Sequence, residues 1–292
     1  MAEPSVPESS DAACALQALW VHPVKGCAGI AVETAEVDDT GLAFDRAWMV
    51  VDGTDGFLSQ RDCPRLALVR PQIRAEDLVL RAPGMLALHI ALDRVESPRR
   101  VRVWNDVVEA WDLGTLAAQW FSDFLGRPLR LLRFDPDQRR LADRRWTGEV
   151  EAEAAFADAF PLLVTSTASI GELNARLAAR GLAPVGIERF RPNLVLDGLA
   201  PFDEDHIDEI RVETAEGPVR LKLVKPCVRC KVPSVDPATG VQGHEPGDTL
   251  STFRADARMD GGITFGMNAI VLEGLERTLA VGQRASATYA FG

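Results

Sequence analysis

Two cysteines, Cys227 and Cys230, stand in the segment Lys225-Pro-Cys-Val-Arg-Cys-Lys-Val-Pro-Ser-Val-Asp-Pro-Ala-Thr-Gly240. A thiolate is a soft ligand and a strong nucleophile, and a neighbouring cation favours its charged form. Arg229 and Lys231 flank Cys230, and Lys225 lies just ahead of the pair. Four chemistries are open to it. A structural zinc site needs four nitrogen or sulfur ligands, commonly as two pairs; there is no second Cys-x-x-Cys, and His244 alone does not complete a set. A redox dithiol wants its pair at a helix start after a strand, whereas Pro226 precedes this pair and Val-Pro-Ser-Val and a turn follow it. Inert core thiols are the plain alternative, weakened by the three cations. The fourth chemistry gives Cys230 alone the work of ligand or nucleophile.

Other residues could complete a site. In His22-Pro-Val-Lys-Gly-Cys-Ala-Gly29, Lys25 precedes Gly26, so the backbone can approach an anion with an ammonium nearby. The stretch is too short for a P-loop, and a hairpin turn with a surface lysine is the plain reading. Asp45 and Arg46, ahead of Trp48, read as a local ion pair leading a strand. In Glu188-Arg-Phe-Arg-Pro-Asn193 the proline favours an extended residue before it. An extended Arg191 shares a face with Asn193. Together they can offer a guanidinium and an amide to a phosphate or a pterin-like edge, or simply form a strand entry. Asp236 opens a turn in which its carboxylate accepts backbone N–H groups; as a second reading it donates a proton near the site. His22 and His244 are weaker relay candidates. Arg139, Arg140, Arg144 and Arg145 make a basic run, read as a solvated loop or a substrate rim.

The elements that must position these residues are mostly strands. Strands are expected over 16–24, 31–37, 47–52, 67–73 and 77–81, with a hairpin over 101–111 about an Asn-Asp turn. A helix over 115–125 puts Leu116, Trp120, Phe121 and Phe124 on one face and ends at Gly126. A buried strand over 161–166 feeds a helix over 168–179, capped by Ser166 or Thr167. Short strands follow at 193–197, 207–214, 218–224, 241–243, 263–272 and 283–290. This predicts a mostly β barrel or sandwich with few helices. The chain has 292 residues, enough for about two domains. A net charge of −11 disfavours non-specific nucleic-acid binding and anionic membranes. Residues 1–14 carry no signal-peptide pattern and are expected to be a disordered leader. Five cysteines, an odd count with one close pair, fit a reducing compartment. A cytoplasmic protein without a membrane span is expected.

In chain order, Pro-Val-Lys-x-Cys, Asp-Arg-x-Trp, Phe-Arg-Pro-Asn and Cys-x-Arg-Cys with Val-Asp-Pro-x-Thr-Gly resemble the motifs of the MOSC family. The likeness is to MOSC reductases with an N-terminal β-barrel domain, such as the mitochondrial amidoxime-reducing component and its bacterial relatives. It runs over about residues 15–290. The resemblance implies a β-rich α+β fold, with an N-terminal β-barrel-like domain over 15–135 and a C-terminal MOSC β-barrel over 136–292 with a few peripheral helices. It implies a molybdenum–molybdopterin cofactor with Cys230 as the metal ligand, and Lys25, Gly26, Arg46, Arg191, Asn193 and Arg229 as cofactor-binding positions. Asp236 is carried as a second catalytic candidate. The implied reaction reduces N-hydroxylated or N-oxygenated small molecules. No iron–sulfur cluster is expected within this chain, and no dependence on pyridoxal phosphate, so electrons come from a flavodoxin, a ferredoxin or a cytochrome b5-like protein with its reductase. A sulfur carrier or molybdopterin-handling protein with a Cys230 persulfide is the alternative. Gly26, Ala159 and Phe160 depart from the serine and hydroxyl residues of close relatives, so those side-chain contacts are missing here or supplied by backbone amides.

Overall fold

A computed structural model describes residues 12–290. Most of the expected leader lies outside the described residues; its last three positions, Ala12 to Cys14, are already strand. The architecture is β-rich with four short helices among the described residues.

Seven strands close a barrel: β1 Ala12–Val21, β2 Leu162–Ser166, β3 Leu194–Asp197, β4 Ile207–Val212, β5 Val219–Val228, β6 Gly262–Glu273 and β7 Arg284–Tyr289. Their order is β2-β3-β1-β7-β4-β5-β6, and β6 pairs back onto β2. All neighbours are antiparallel except β2 and β3, which the helix Thr167–Ala179 connects as a βαβ crossover. Ser166 caps that helix, its Oγ accepting the Ser169 N–H at 3.1 Å. The alternation in β1 explains its place. Cys14 and Leu16 face inward, a register shift follows, and then Leu19 and Val21 face inward. Gly266 (φ +75°) lets β6 bend toward β2; a Cβ there would lie 2.7 Å from the Val164 carbonyl oxygen.

The second unit contains a five-stranded sheet in the order Ser97–Val103, Asp106–Asp112, Arg130–Phe134, Trp48–Val51, Val24–Lys25. The helix Thr115–Leu125 packs Ala117, Trp120, Phe121 and Phe124 into a shared core with Leu78, Leu80 and Leu131. Leu116, expected on that face, falls at the edge of the stripe and is exposed. The expected division at residue 135 separates two stretches of sequence, but β1 belongs to the barrel, and Thr34–Asp38 pairs with Thr278–Ala280. The chain enters the barrel first, then builds the second unit, then returns.

Other local corrections have plain causes. Pro64 starts a 3-10 turn over Pro64–Leu68, so the strand expected from 67 begins at Arg70. The hairpin reverses at Trp104 and Asn105, one residue earlier than expected, because Val103 pairs with Asp106. Residues 241–243 form no strand, only the bridge Val235–Gln242. The basic run includes a short helix, Arg144–Thr147, capped by Asp143.

Candidate functional site

A cleft opens where the end of Val24–Lys25, the turn at Arg46, the loop 57–61, the loop 157–160 with the start of β2, the turn before β3, the end of β5 and Asn268 of β6 meet. Counting its solvent-open part, it spans about 930 Å³. Lys25, Gly26, Arg46, Arg191, Asn193, Arg229 and Cys230 all line it.

The end of β5 explains the two cysteines. Its ladder with β6 is bulged between Pro226 and Val228 and ends at the pair Val228–Thr264. Arg229 N–H still donates to Ile263 O at 2.7 Å; Cys230 lies just past this bond and is exposed. Cys227 is half-buried, and its Sγ accepts from Arg229 Nη1 at 2.9 Å. Arg229 Nη2 donates to Phe190 O at 2.9 Å, while its buried Nε has no partner. An unpaired buried donor costs free energy unless a ligand or water satisfies it. Lys225 turns away to the Trp146 ring (5.0 Å), and Lys231 is exposed outside the cleft, so of the three expected cations only Arg229 reaches the pair.

The opposite wall is built on ion pairs. Lys25 Nζ donates to Phe156 O at 2.8 Å and to Asp158 Oδ1 at 2.5 Å. Burial lowers the Lys25 pKa, Asp158 opposes this, and Arg140 and Arg46 add to it. For Asp158, the surrounding protein works to raise the pKa, but the Lys25 charge and hydrogen bond, with Trp104, hold it well below the carboxylate range. The Asp158 side chain is 70% exposed within the cleft, so this pair contributes little to stability. Arg140, expected in a solvated run or a rim, is instead buried beneath this wall. It pairs with Asp106 at 2.8 Å and donates to the carbonyls of Ala155, Ala157 and Asp158.

Arg46 and Arg191 both take left-handed backbone, φ +49° and +58°, which non-glycine residues hold only where the surroundings over-determine it. Arg191 ends the 3-10 turn Ile187–Phe190, so it is not extended and does not share a face with Asn193. The turn's hydrogen bond, Arg191 N–H to Glu188 O, overrides the bias of the following proline. Arg46 Nη1 pairs with Asp45 and donates to Asn193 Oδ1 at 3.0 Å; its Nη2 donates to Arg191 O at 3.1 Å. Asn193 is fully buried and also bonds Leu163 N and Trp20 O, so its amide is committed to the protein. Arg191 Nη1 donates to Cys27 O at 2.5 Å. Burial, then repulsion from Arg46, lowers Arg191 to about 10.

Asp236 does not line the cleft. It accepts Ala238 and Thr239 N–H groups and faces Arg189 at 3.3 Å. Those amide bonds outweigh its slight burial and lower its pKa, which suits a turn residue and not a proton donor. His22 is buried behind the site with Nε2 3.0 Å from Pro192 O, and His244 is exposed elsewhere. Sequence reasoning missed Asp158, Arg61, Phe57, Trp104 and Gln60. Asp158 sits in an alanine-rich stretch and Arg61 in an ordinary polar loop, so neither carried a pattern.

The family models agree with the architecture. Residues 13–128 match the MOSC N-terminal beta barrel domain, and residues 151–286 match the MOSC domain. The mitochondrial amidoxime reducing component 2 of Bos taurus is 34% identical over 246 residues, covering 81% of this chain and 71% of that protein. The chain belongs to the MOSC family. Its likeness to the Homo sapiens mitochondrial amidoxime-reducing component 1 is the same, 34% over 249 residues, with 81% and 71% covered. A further MOSC relative, the Homo sapiens molybdenum cofactor sulfurase, is 30% identical over 254 residues, 81% of this chain but 28% of that protein. No helix among the described residues is long and apolar enough to cross a membrane.

Proposed function

We propose that the cleft takes a molybdenum–pterin cofactor and that the protein reduces N-hydroxylated compounds. One observation carries this reading. An exposed cysteine, Cys230, opens onto a cleft lined by five basic side chains (Lys25, Arg46, Arg61, Arg191, Arg229) and one carboxylate, Asp158, in a chain of net charge −11. Such a cleft suits an anionic ligand with a soft metal. The unpaired Arg229 Nε and the depressed Arg191 fit such a ligand, since both gain from an anion placed between them. Cys230 Sγ would hold the molybdenum, because a thiolate suits a soft centre. Arg191 and Arg229 would hold the phosphate end. Arg46 and Asn193 act behind them, as positioning residues for Arg191. When bound, the cofactor supplies the electron pair.

The overall reaction takes two electrons and two protons: the N–O bond of an amidoxime-type substrate breaks, leaving the amidine and water. The chain must hold a proton near that oxygen. Lys25 Nζ, depressed by burial and aimed into the cleft, is the group suited to it, while Asp158 stays a carboxylate and orients the lysine. Electrons come from a separate donor of the flavodoxin, ferredoxin or cytochrome b5 kind.

The test is reduction of N-hydroxybenzamidine, with reduced methyl viologen as electron source, by protein made in a cofactor-producing host. Wild type and Cys227→Ala should turn over, and Cys230→Ala should not. Equal loss in both variants would sink the single-ligand assignment. The exposure of Cys230 also suits the sulfur-carrier reading. That reading expects no turnover and a cyanide-labile persulfide on Cys230.

A further inference from the structure

Of the five cations in the cleft, Lys25 and Arg46 are neutralised by Asp158 and Asp45, and Arg191 and Arg229 are tied to backbone carbonyls. Arg61 differs. Among the described residues its guanidinium meets only Ser59 Oγ, 3.3 Å from Nε, and the Trp104 ring, 4.5 Å from centre to centre. Among the described residues no carboxylate lies within ion-pair distance of it, and neither Nη atom takes a protein acceptor. A guanidinium fixed at Nε and by a stacked ring, with both Nη groups open, is pre-organised for a bidentate oxyanion.

Trp104 supports this geometry at a conformational cost. It is the first residue of a two-residue hairpin turn and the only one of the two with positive φ, +55°. Hairpins normally give that position to glycine. Three contacts hold the tryptophan there: its Nε1–H donates to Asp158 Oδ1 at 3.1 Å, Phe57 packs edge-on at 5.2 Å, and Arg61 stacks on its face. Arg61 lines the cleft and Trp104, 44% exposed, stands against it, both on loops separate from the Cys230 strand.

We infer that Arg61, stacked on Trp104, is a specificity-determining residue that recognises a carboxylate borne by the substrate away from its N–OH group. The inference rests on the reductase reading of the same cleft. The same oxyanion chemistry could serve the cofactor's phosphate, so the test separates the two. The probes are N-hydroxybenzamidine and its 4-carboxy derivative, with wild type, Arg61→Gln and Trp104→Ala. Wild type should prefer the carboxylated compound. Arg61→Gln should lower the ratio of kcat/KM, carboxylated over neutral, about tenfold through KM, the size of one charged hydrogen-bond pair. Trp104→Ala should lower it part-way, and molybdenum content should stay at the wild-type level in both. An unchanged ratio overturns the inference, as does loss of molybdenum in Arg61→Gln, which would assign the arginine to the cofactor. If wild type reduces neither compound, the reductase reading has failed. Calorimetric titration of the carboxylated probe into the same proteins then decides Arg61: tighter binding to wild type supports it, and equal binding overturns it.

Discussion

Asn193 should be a stability residue first and a site residue second. Its side chain is fully buried and makes three hydrogen bonds: Oδ1 accepts from Leu163 N at 3.1 Å and from Arg46 Nη1 at 3.0 Å, and Nδ2 donates to Trp20 O at 3.2 Å. Asn193→Ala leaves the Leu163 N–H and the Trp20 carbonyl buried and unpaired, at about 1–3 kcal/mol each. Arg46 loses one donor contact but keeps Asp45 and can reach cleft water, so it adds about 1 kcal/mol. The sum is roughly 3–7 kcal/mol, about 5 at its centre. With a urea m-value of about 3 kcal/mol per molar for a chain of this size, the midpoint should fall by about 1–2 M. The assay is urea unfolding of protein made without cofactor, so ligand loss cannot contribute. A midpoint within about 0.2 M of wild type would refute the reasoning and return the Asn193 amide to the cofactor.

Three further outcomes follow from the same geometry. Burial, then Arg191 and Arg46, hold His22 neutral well below its ordinary 6.5, so the unfolded chain alone takes up that proton in acid. Stability should therefore fall as pH drops through 6.5, by up to about 1.4 kcal/mol per pH unit from this group; His22→Gln should flatten the slope, and parallel wild-type and variant curves would contradict it. Inorganic phosphate near ten times its Kd should raise the melting temperature of cofactor-free protein by about 3 °C over chloride at equal ionic strength, and Arg191→Gln should remove the difference; an unaltered response would move the anion site elsewhere. Burial pushes the Cys14 thiol up to about 11 and raises Cys27 as well, so brief iodoacetamide treatment near neutral pH should label Cys230 and spare those two, as read by peptide mass. Comparable labelling of Cys27 would show that the described packing opens.

The β-rich fold was legible because β1, β4, β5 and β7 largely alternate buried and more exposed positions, and because Gly126 ends one long helix and Ser166 caps the other. The expected helix at 115–125 matches Thr115–Leu125, and the expected 168–179 matches Thr167–Ala179 within a residue. The return of β1 into the barrel was not legible, since pairing across nearly the whole chain leaves no local mark. Seven of the eight residues proposed for the site line one cleft, and only Asp236 stands apart. What the sequence hid was the work each residue does. Arg46 and Asn193 spend their polar atoms on the protein, and Arg191 reaches the cleft through a left-handed turn that the following proline argued against. Asp158 and Arg61 gain meaning only from partners far along the chain, Lys25 and Trp104.

The most direct measurement is molybdenum per chain, by elemental analysis of protein purified from a cofactor-producing host. Wild type and Cys227→Ala should each carry about one molybdenum per chain, the single-ligand stoichiometry of a thiolate-held centre, and Cys230→Ala should carry almost none. Metal retained in Cys230→Ala, or lost equally in both variants, would contradict the assignment of Cys230 as the ligand.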